Sequence, residues 1–439
     1  MKPKYPKLLR VTTVPESLAT LLKGQHNFMR NHGFEVVGVS SPGQFLDEVA
    51  EREKIRTVPL LMTRAITPLQ DLKSLWQFYK LCKKEKPCIV HTHTPKAGII
   101  GMLGAKLAGV PIRLHTVAGL PLMEAKGLKK KLLSFIEKMT YALATVVYPN
   151  SQGLQDYIIK NKFTKKEKLK IVHNSSSNGI DTYHFSPQSV TPRKKENLRK
   201  ELGLNENDFV FLFIGRLVGD KGLNELIEAF SKLKSVIKKR VAHLDSASIS
   251  QNYSFSTVSE ALELVDLHER KIKLLLVGNY EPDLDPLKPE TLQKISLHPD
   301  IEYVGYQKDV RPYLAISNCF VFPSYREGFP NVVMQAASMH LNCIVSDING
   351  CNEIIVDGKN GWLVPSKDAD SLLEKMIWCY ENPDDCHKMG EDNHEMIHQK
   401  FEQRFYWQAL HEEYLRVLKK YNKNDKVCYS EHLRINYTS

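Results

Sequence analysis

Residues 209–230 read FVFLFIGRLVGDKGLNELIEAF. Phe209–Ile214 is an uninterrupted apolar run of strand length, Gly215 and Arg216 follow at its tip, and helical spacing begins near Leu223, just after Lys221 and Gly222. A wholly apolar strand that feeds a helix is the unit of a parallel sheet covered on both faces. Residues 319–335, CFVFPSYREGFPNVVMQ, repeat the plan. Strand Cys319–Phe322 ends in a loop carrying Glu327, Gly328, Phe329 and Pro330, and a helix opens at about Asn331.

Working outward, β-branched runs alternate with helical patterns along most of the chain, the signature of an α/β protein. Strands are expected near Leu8–Thr12, Glu35–Val39, Cys88–His91, Ile112–His115, Ala144–Val147 and Leu169–Val172, then near Phe209–Ile214, Lys273–Val277, Ile301–Val304, Cys319–Phe322, Cys343–Ser346 and Trp362–Val364. A Ser/Asn/Pro-rich, basic stretch at 174–200 separates the two series. The expected organisation is a lobe at 1–185, a second at 186–400, an amphipathic helix at 401–421 built on Trp407, Leu410, Tyr414, Val417 and Tyr421, and a frayed tail at 422–439. Residues 241–258, Ser-rich and aperiodic, read as a surface excursion before a short helix at 259–268.

Composition excludes several classes. With 439 residues, 42% hydrophobic and 25% charged, the chain is globular rather than disordered or fibrous. Eight cysteines with no C-x-x-C pair suit reduced thiols in a cytosolic compartment. No signal-peptide run and no apolar stretch of membrane-spanning length is apparent. Residues 1–200 balance to +20 and residues 201–439 to −9, so one lobe alone is suited to an anionic partner. Nucleic acid is set aside, because the basic segments are not interleaved with aromatics and no zinc-finger or RNA-recognition signature occurs.

The turn after the first strand, TTVPESLATLLKG, lacks the G-x-G-x-x-G that brings a dinucleotide pyrophosphate close, and no G-x-x-x-x-G-K-[ST] occurs. Dehydrogenase and P-loop readings fall together. In an open α/β sheet, ligands sit beyond the carboxyl ends of the strands, where a helix start at Asn331 favours a diphosphate. There Glu327 suits sugar hydroxyls and Gln335 a ribose, or Glu327 is a solvated loop carboxylate. Arg216 as a fork and Lys221 as a point charge make a diphosphate clamp, or serve as surface salt-bridge residues.

Taken together, GRL-x-x-x-KG (215–222), E-G-F-P-N-V-V-M-Q (327–335), N-G-I-D (178–181), HTHTPKAG (91–98) and RLHTVAGLP (113–121) resemble the retaining family-4 glycosyltransferases of bacterial surface-polysaccharide assembly. The resemblance spans roughly residues 5–420. It implies the GT-B fold: two Rossmann-like, doubly wound parallel-sheet lobes facing a cleft, the first on the acceptor side and the second binding the nucleotide sugar. It implies that Arg216 and Lys221 hold the donor diphosphate, that Gly215 lines the donor site, and that Glu327 binds the transferred sugar. It also implies that the loop Gly328, Phe329, Pro330 and Asn331 contacts sugar and phosphate through its backbone. His115, placed on the loop after Ile112–Leu114, would face the donor sugar.

Two departures stand out. Gln335 occupies the second glutamate position of the family motif, and only Ser17, Thr20 and Gly24 stand where many relatives have a glycine-rich loop. Asp283 and Asp285 spell D-x-D but lie in a Pro-flanked loop, and the resemblance implies Arg, Lys and a helix dipole in place of an ion, so no metal is expected at the site. His91 and His93, two apart at a strand end, are read as pointing to opposite sides and so as a poor metal pair.

The segment 127–144 carries an apolar face (Leu128, Leu132, Phe135, Ile136, Met139, Leu143) beside Lys129, Lys130, Lys131 and Lys138. That face is either buried in its lobe or laid on an anionic bilayer. The expectation is a cytoplasmic enzyme, peripheral at the inner face of the cell membrane. It moves a sugar from a nucleotide diphosphate donor, UDP-linked, to a lipid-diphosphate-linked glycan, by hexosyl or N-acetylhexosaminyl transfer with retention and without a metal cofactor. The rivals are a non-catalytic nucleotide-sugar-binding scaffold subunit and a GT-B sugar-nucleotide epimerase.

Overall fold

The computed structural model describes residues 5–250, 270–283 and 285–422. The chain forms two compact units. Residues up to Gly179 and those from Phe401 onward make the first, and Ile180–Lys400 make the second. Among the described residues each unit holds one six-stranded parallel sheet. In the first, β1 (Lys7–Val11), β2 (Glu35–Ser40), β3 (Arg56–Pro59), β4 (Ile89–Thr92), β5 (Ile112–Val117) and β6 (Val146–Pro149) lie in the order β3-β2-β1-β4-β5-β6. In the second, β7 (Phe209–Ile214), β8 (Ile272–Val277), β9 (Ile301–Gly305), β10 (Cys319–Phe322), β11 (Asn342–Ser346) and β12 (Gly361–Val364) lie in the order β12-β11-β10-β7-β8-β9.

Both orders are doubly wound, with the winding reversing between β1 and β4 and between β7 and β10. Every residue of β7, β10 and β11 is buried, as strands covered on both faces require. Each large side chain so buried contributes roughly 1.5–3 kcal/mol. The sheet interior therefore holds the unit together, and in these three strands polar groups reach solvent only beyond the strand ends.

Several expectations are corrected. β3 was not anticipated, because it is a half-exposed edge strand that stops at Pro59. The strand expected at Leu169–Val172 is reduced to a single bridge between Val147 and Leu169. Beyond it the chain turns through His173, Ser175 and Ser176, all at positive φ. Where a surface excursion was expected from residue 241, the helix Leu223–Ser250 simply continues, since no Gly or Pro in that stretch stops it. The expected helix at 259–268 and the tail from 423 lie outside the described residues.

The amphipathic helix near the C-terminus, Gln403–Asn422, packs into the first unit. Tyr406, Leu410, Tyr414, Val417 and Leu418 join Leu8, Val36, Ile89 and Ile112 in one core. A polar network fixes it there. Arg10, fully buried on β1, donates from Nε to His93 Nε2 at 3.0 Å, from Nη1 to the Tyr414 hydroxyl at 3.1 Å and from Nη2 to Gln25 Oε1. Tyr414 also meets His91 Nδ1 at 2.6 Å, and His91 Nε2 lies 2.8 Å from Thr116 Oγ1.

The two histidines thus share one side, their rings 4.1 Å apart. The expectation of opposite sides was wrong because residues two apart on a strand share a face. Burial, with the Arg10 charge alongside, holds His26, His91 and His93 well below the ordinary imidazole range, and burial takes His115 down to about 4.

These histidines are neutral in the fold and take up protons in the unfolded chain below about pH 6.5. The unfolded state then binds more protons between the folded and unfolded values, so stability rises with pH across that window and is lost on acidification. The urea midpoint, followed by circular dichroism, is expected to fall between about pH 7.5 and about pH 5, and His115→Gln is expected to lessen that dependence. A midpoint flat across this range would show that the histidines are not held neutral.

Candidate active site

The loops after β7 and β10 leave adjacent strands at the switch point of the second sheet. Gly222 lets them come together. It sits at φ +73°, and a Cβ there would fall 2.0 Å from the Pro323 carbonyl oxygen at the end of β10. A short 3-10 turn, Gly219–Lys221, places Lys221 ahead of the helix that begins at Leu223.

Lys221 Nζ donates to Glu327 Oε1, which also accepts from Ser324 Oγ at 2.9 Å. Both side chains of this ion pair are about one-sixth exposed, and the ammonium stands 5.5 Å over the Phe322 ring. A cation and a carboxylate are therefore held in contact, partly desolvated, at the carboxyl edge of the sheet. Arg216 occupies the same β7 loop, more exposed, with Nη1 3.5 Å from Glu281 Oε2.

A third loop, after β11, supports the Glu327 backbone from the other side. Asn349 Nδ2 donates to the Glu327 carbonyl, and Gly350, at φ +80°, packs so closely that a Cβ would lie 2.3 Å from the Gly328 carbonyl oxygen. Asp220 accepts from Arg326 at 2.7 Å, and Tyr325 donates its hydroxyl to Glu225 at 2.7 Å, tying the β10 loop to the β7 loop and its helix. Gly328, Phe329 and Pro330 are buried, and Asn331 opens a helix to Ser338 that no side chain caps. Its first backbone N–H groups have no partner within the helix. Gln335 lies half-buried one turn in.

The structure thus gathers Gly215, Arg216 and Lys221 after β7, and Glu327, the Gly328–Asn331 segment and Gln335 after β10, at two neighbouring strand ends. His115 belongs to the first unit. It is part of β5 rather than on the following loop, 2% exposed, with Nδ1 2.7 Å from Thr92 Oγ1. Of the D-x-D pair, Asp285 serves the β7 loop, its carbonyl accepting from Gly219 N at 3.0 Å, while Asp283 is exposed.

Asn349 and Gly350 were missed in the sequence. Their signal is Ile348-Asn-Gly between a strand and a helix, a turn motif that carries no chemistry until the fold sets it against Glu327.

Comparison with known proteins matches residues 27–175 to the glycosyl transferase 4-like domain, and residues 194–244 and 246–382 to two models of glycosyl transferases group 1. The capsular polysaccharide biosynthesis glycosyltransferase CapM of Staphylococcus aureus is 30% identical over 416 residues, 95% of this chain and 98% of that protein. The chain belongs to the group 1 glycosyltransferases.

This glycosyltransferase is also 32% identical, over 76% of its length and 77% of the relative's, to the Escherichia coli UDP-Gal:alpha-D-GlcNAc-diphosphoundecaprenol alpha-1,3-galactosyltransferase. Its architecture is that of GT-B enzymes. Anabaena HepE, crystallised with UDP and glucose, superposes with a TM-score of 0.71 at 17% identity, over 94% of this chain and all of that one. A Rickettsia africae glycosyltransferase gives 0.71 at 19%, over 96% and 99%.

The packing around Gly350 yields a test. A methyl group there pushes the Gly328 carbonyl away, and wherever reacting groups are held by such a loop a displacement of this size costs on the order of a hundred-fold in rate. Gly350→Ala is expected to reduce transferase activity by about ten- to a hundred-fold while the circular dichroism spectrum is retained. Full activity in that variant would show that the β11 loop does not set the position of Glu327.

Proposed function

We propose that this glycosyltransferase moves a sugar, with retention at the anomeric carbon, from a UDP-linked donor to a lipid-diphosphate-linked glycan in surface-polysaccharide synthesis. The observation that carries the reading is the Lys221–Glu327 pair at the β7/β10 switch point, beside the uncapped helix start at Asn331. Departure of the nucleotide diphosphate leaves negative charge on the leaving group. Arg216, Lys221 and the N–H groups of the Asn331 helix are fixed donors for that charge.

In this reading Glu327 grips hydroxyls of the transferred sugar, Gln335 takes the ribose through its neutral amide, and Gly215 with the Gly328–Asn331 backbone lines the donor. These cations occupy the role that a divalent ion plays at other diphosphate sites, so transfer needs no metal. His115 is kept in the reading only as a neutral imidazole, a hydrogen-bonding group rather than a charge. The names of the S. aureus and E. coli relatives support the polysaccharide setting and a diphosphate-lipid acceptor.

The acceptor places the enzyme at the inner face of the cell membrane, as a peripheral cytoplasmic protein. Among the described residues no helix is long and apolar enough to cross a membrane. On the helix Gly127–Leu143, Leu128, Leu132 and Phe135 are 83%, 46% and 59% exposed, so this apolar side is not spent on the core. Lys129, Lys130 and Lys131 are exposed on the same turns. The helix Pro68–Glu85 repeats the pattern with exposed Leu69, Leu72 and Trp76.

Two experiments address this reading. Arg216→Ala and Lys221→Ala each remove a charge-assisted contact of about 1.5–3 kcal/mol, so activity is expected to fall about ten- to a hundred-fold with weaker UDP binding. The assay is run with EDTA present. Unchanged UDP affinity in both variants would remove the clamp, and loss of wild-type activity in EDTA with rescue by magnesium would remove the metal-free mechanism.

For the membrane, each lysine contributes on the order of 1 kcal/mol at an anionic surface. Replacing Lys129, Lys130 and Lys131 with Gln is expected to weaken binding to anionic liposomes about a hundred-fold, with activity on a short soluble acceptor preserved. Equal loss on the soluble acceptor would make these lysines part of the acceptor site.

A further inference from the structure

Three cysteines converge at the amino end of β10, the opposite end of the strand from the Glu327 loop. Cys319 opens β10, Cys379 lies in the last turn of the helix Ala369–Glu381, and Cys386 in the first turn of the helix Pro383–Phe401. All three are buried, and their Sγ atoms lie within 4.8 Å of one another, with Cys319 and Cys379 at 3.9 Å. A zinc–thiolate bond is about 2.3 Å long, which puts sulfurs sharing one ion roughly 3.8–4.0 Å apart. The Cys319–Cys379 separation is therefore the one a single ion demands, and the Cys386 sulfur lies within 4.8 Å of both.

Cysteines also pack in cores as small hydrophobes, and that alone would explain three thiols. It does not explain Asn342. This first residue of β11 is fully buried, and its Nδ2 points at Cys379 Sγ (3.8 Å) and Met389 Sδ (3.6 Å), while its Oδ1 has no hydrogen-bond partner. An amide placed among sulfurs is costly in an apolar pocket. Beside metal-bound thiolates its N–H is an outer-shell donor of the kind that orients ligands and stabilises their charge.

We infer that Cys319, Cys379 and Cys386 form a binding site for a thiophilic d10 cation, zinc(II) or copper(I). Soft thiolate and thioether ligands select these ions. Binding exchanges the three thiol protons for the metal, so a zinc site carries one net negative charge, which the Asn342 N–H faces. The donors at hand for a fourth position are Met389 Sδ and, with the amide turned, Asn342 Oδ1. The ion would join β10 to two helices far from it in sequence. This role is structural and separate from the transfer chemistry, for which no metal was invoked.

Because the sulfurs are buried, metal is offered during synthesis. The full chain is produced in medium supplemented with zinc, copper or cobalt and purified with a phosphine reductant. Elemental analysis is expected to find one zinc or one copper per chain, the preferred ion being whichever is retained from mixed medium. X-ray absorption at that metal's edge is expected to count three or more sulfur neighbours. The cobalt form should show thiolate-to-cobalt charge-transfer absorption that is lost in Cys386→Ser and kept in Cys82→Ser, a buried cysteine of the first unit. The proposal is overturned by metal content far below one per chain in all media, by a Cys319–Cys379 disulfide in the purified protein, or by absorption bands that survive Cys386→Ser. The X-ray absorption measurement on the unaltered chain decides the matter even if the serine variant does not fold.

Discussion

A parallel strand buried on both faces offers solvent neither side and, in mid-sheet, no edge, so its chemistry is confined to its end. β7 and β10 are such strands, apolar at every position and adjacent where the winding reverses. Loops leaving neighbouring strand ends at a reversal diverge to opposite faces of the sheet, which opens a crevice between them. The placement of Lys221, Glu327 and the Asn331 helix start follows from that single constraint.

Within the crevice, position is set by contacts that themselves do no chemistry. Lys221 would be a flexible four-carbon chain were it not fixed by Glu327 and by the Phe322 ring below it. Glu327 is in turn fixed by Ser324, and its backbone by Asn349 and the close approach of Gly350. Groups preset in this way do not have to be ordered when charge develops, and this is the physical basis of electrostatic catalysis. The same loops are cross-linked by the Asp220–Arg326 and Glu225–Tyr325 contacts, so the crevice walls behave as one piece.

The sequence made the βα alternation and both candidate-site loops legible, because each is local: an apolar run, a loop of eight residues and a helix start. It was silent wherever the third dimension decides. Asn349 became part of the site only because β11 lies beside β10. Cys319, Cys379 and Cys386 show no metal spacing, yet three elements bring them together. His115 was placed on a loop because the strand was ended at Leu114, three residues early, and the longer β5 draws it into the interior of its unit. His91 and His93 were misjudged through the pleat itself. The serine-rich stretch after residue 240 read as a loop because it lacks apolar periodicity, but polarity alone does not end a helix.

The path of the chain has a consequence for assembly. The second unit, Ile180–Lys400, is one uninterrupted segment, so once its last residue has left the ribosome it has everything it needs to close its core. The first unit is not so placed. Its sheet is made early, but Arg10, His91 and the apolar flank of β1 and β4 await Tyr406, Leu410 and Tyr414 from a helix whose Tyr414 lies 404 residues after Arg10 and 323 after His91. Domains generally fold as they emerge, yet here the lobe translated first is completed last, and its buried arginine remains without the Tyr414 hydroxyl until that helix arrives.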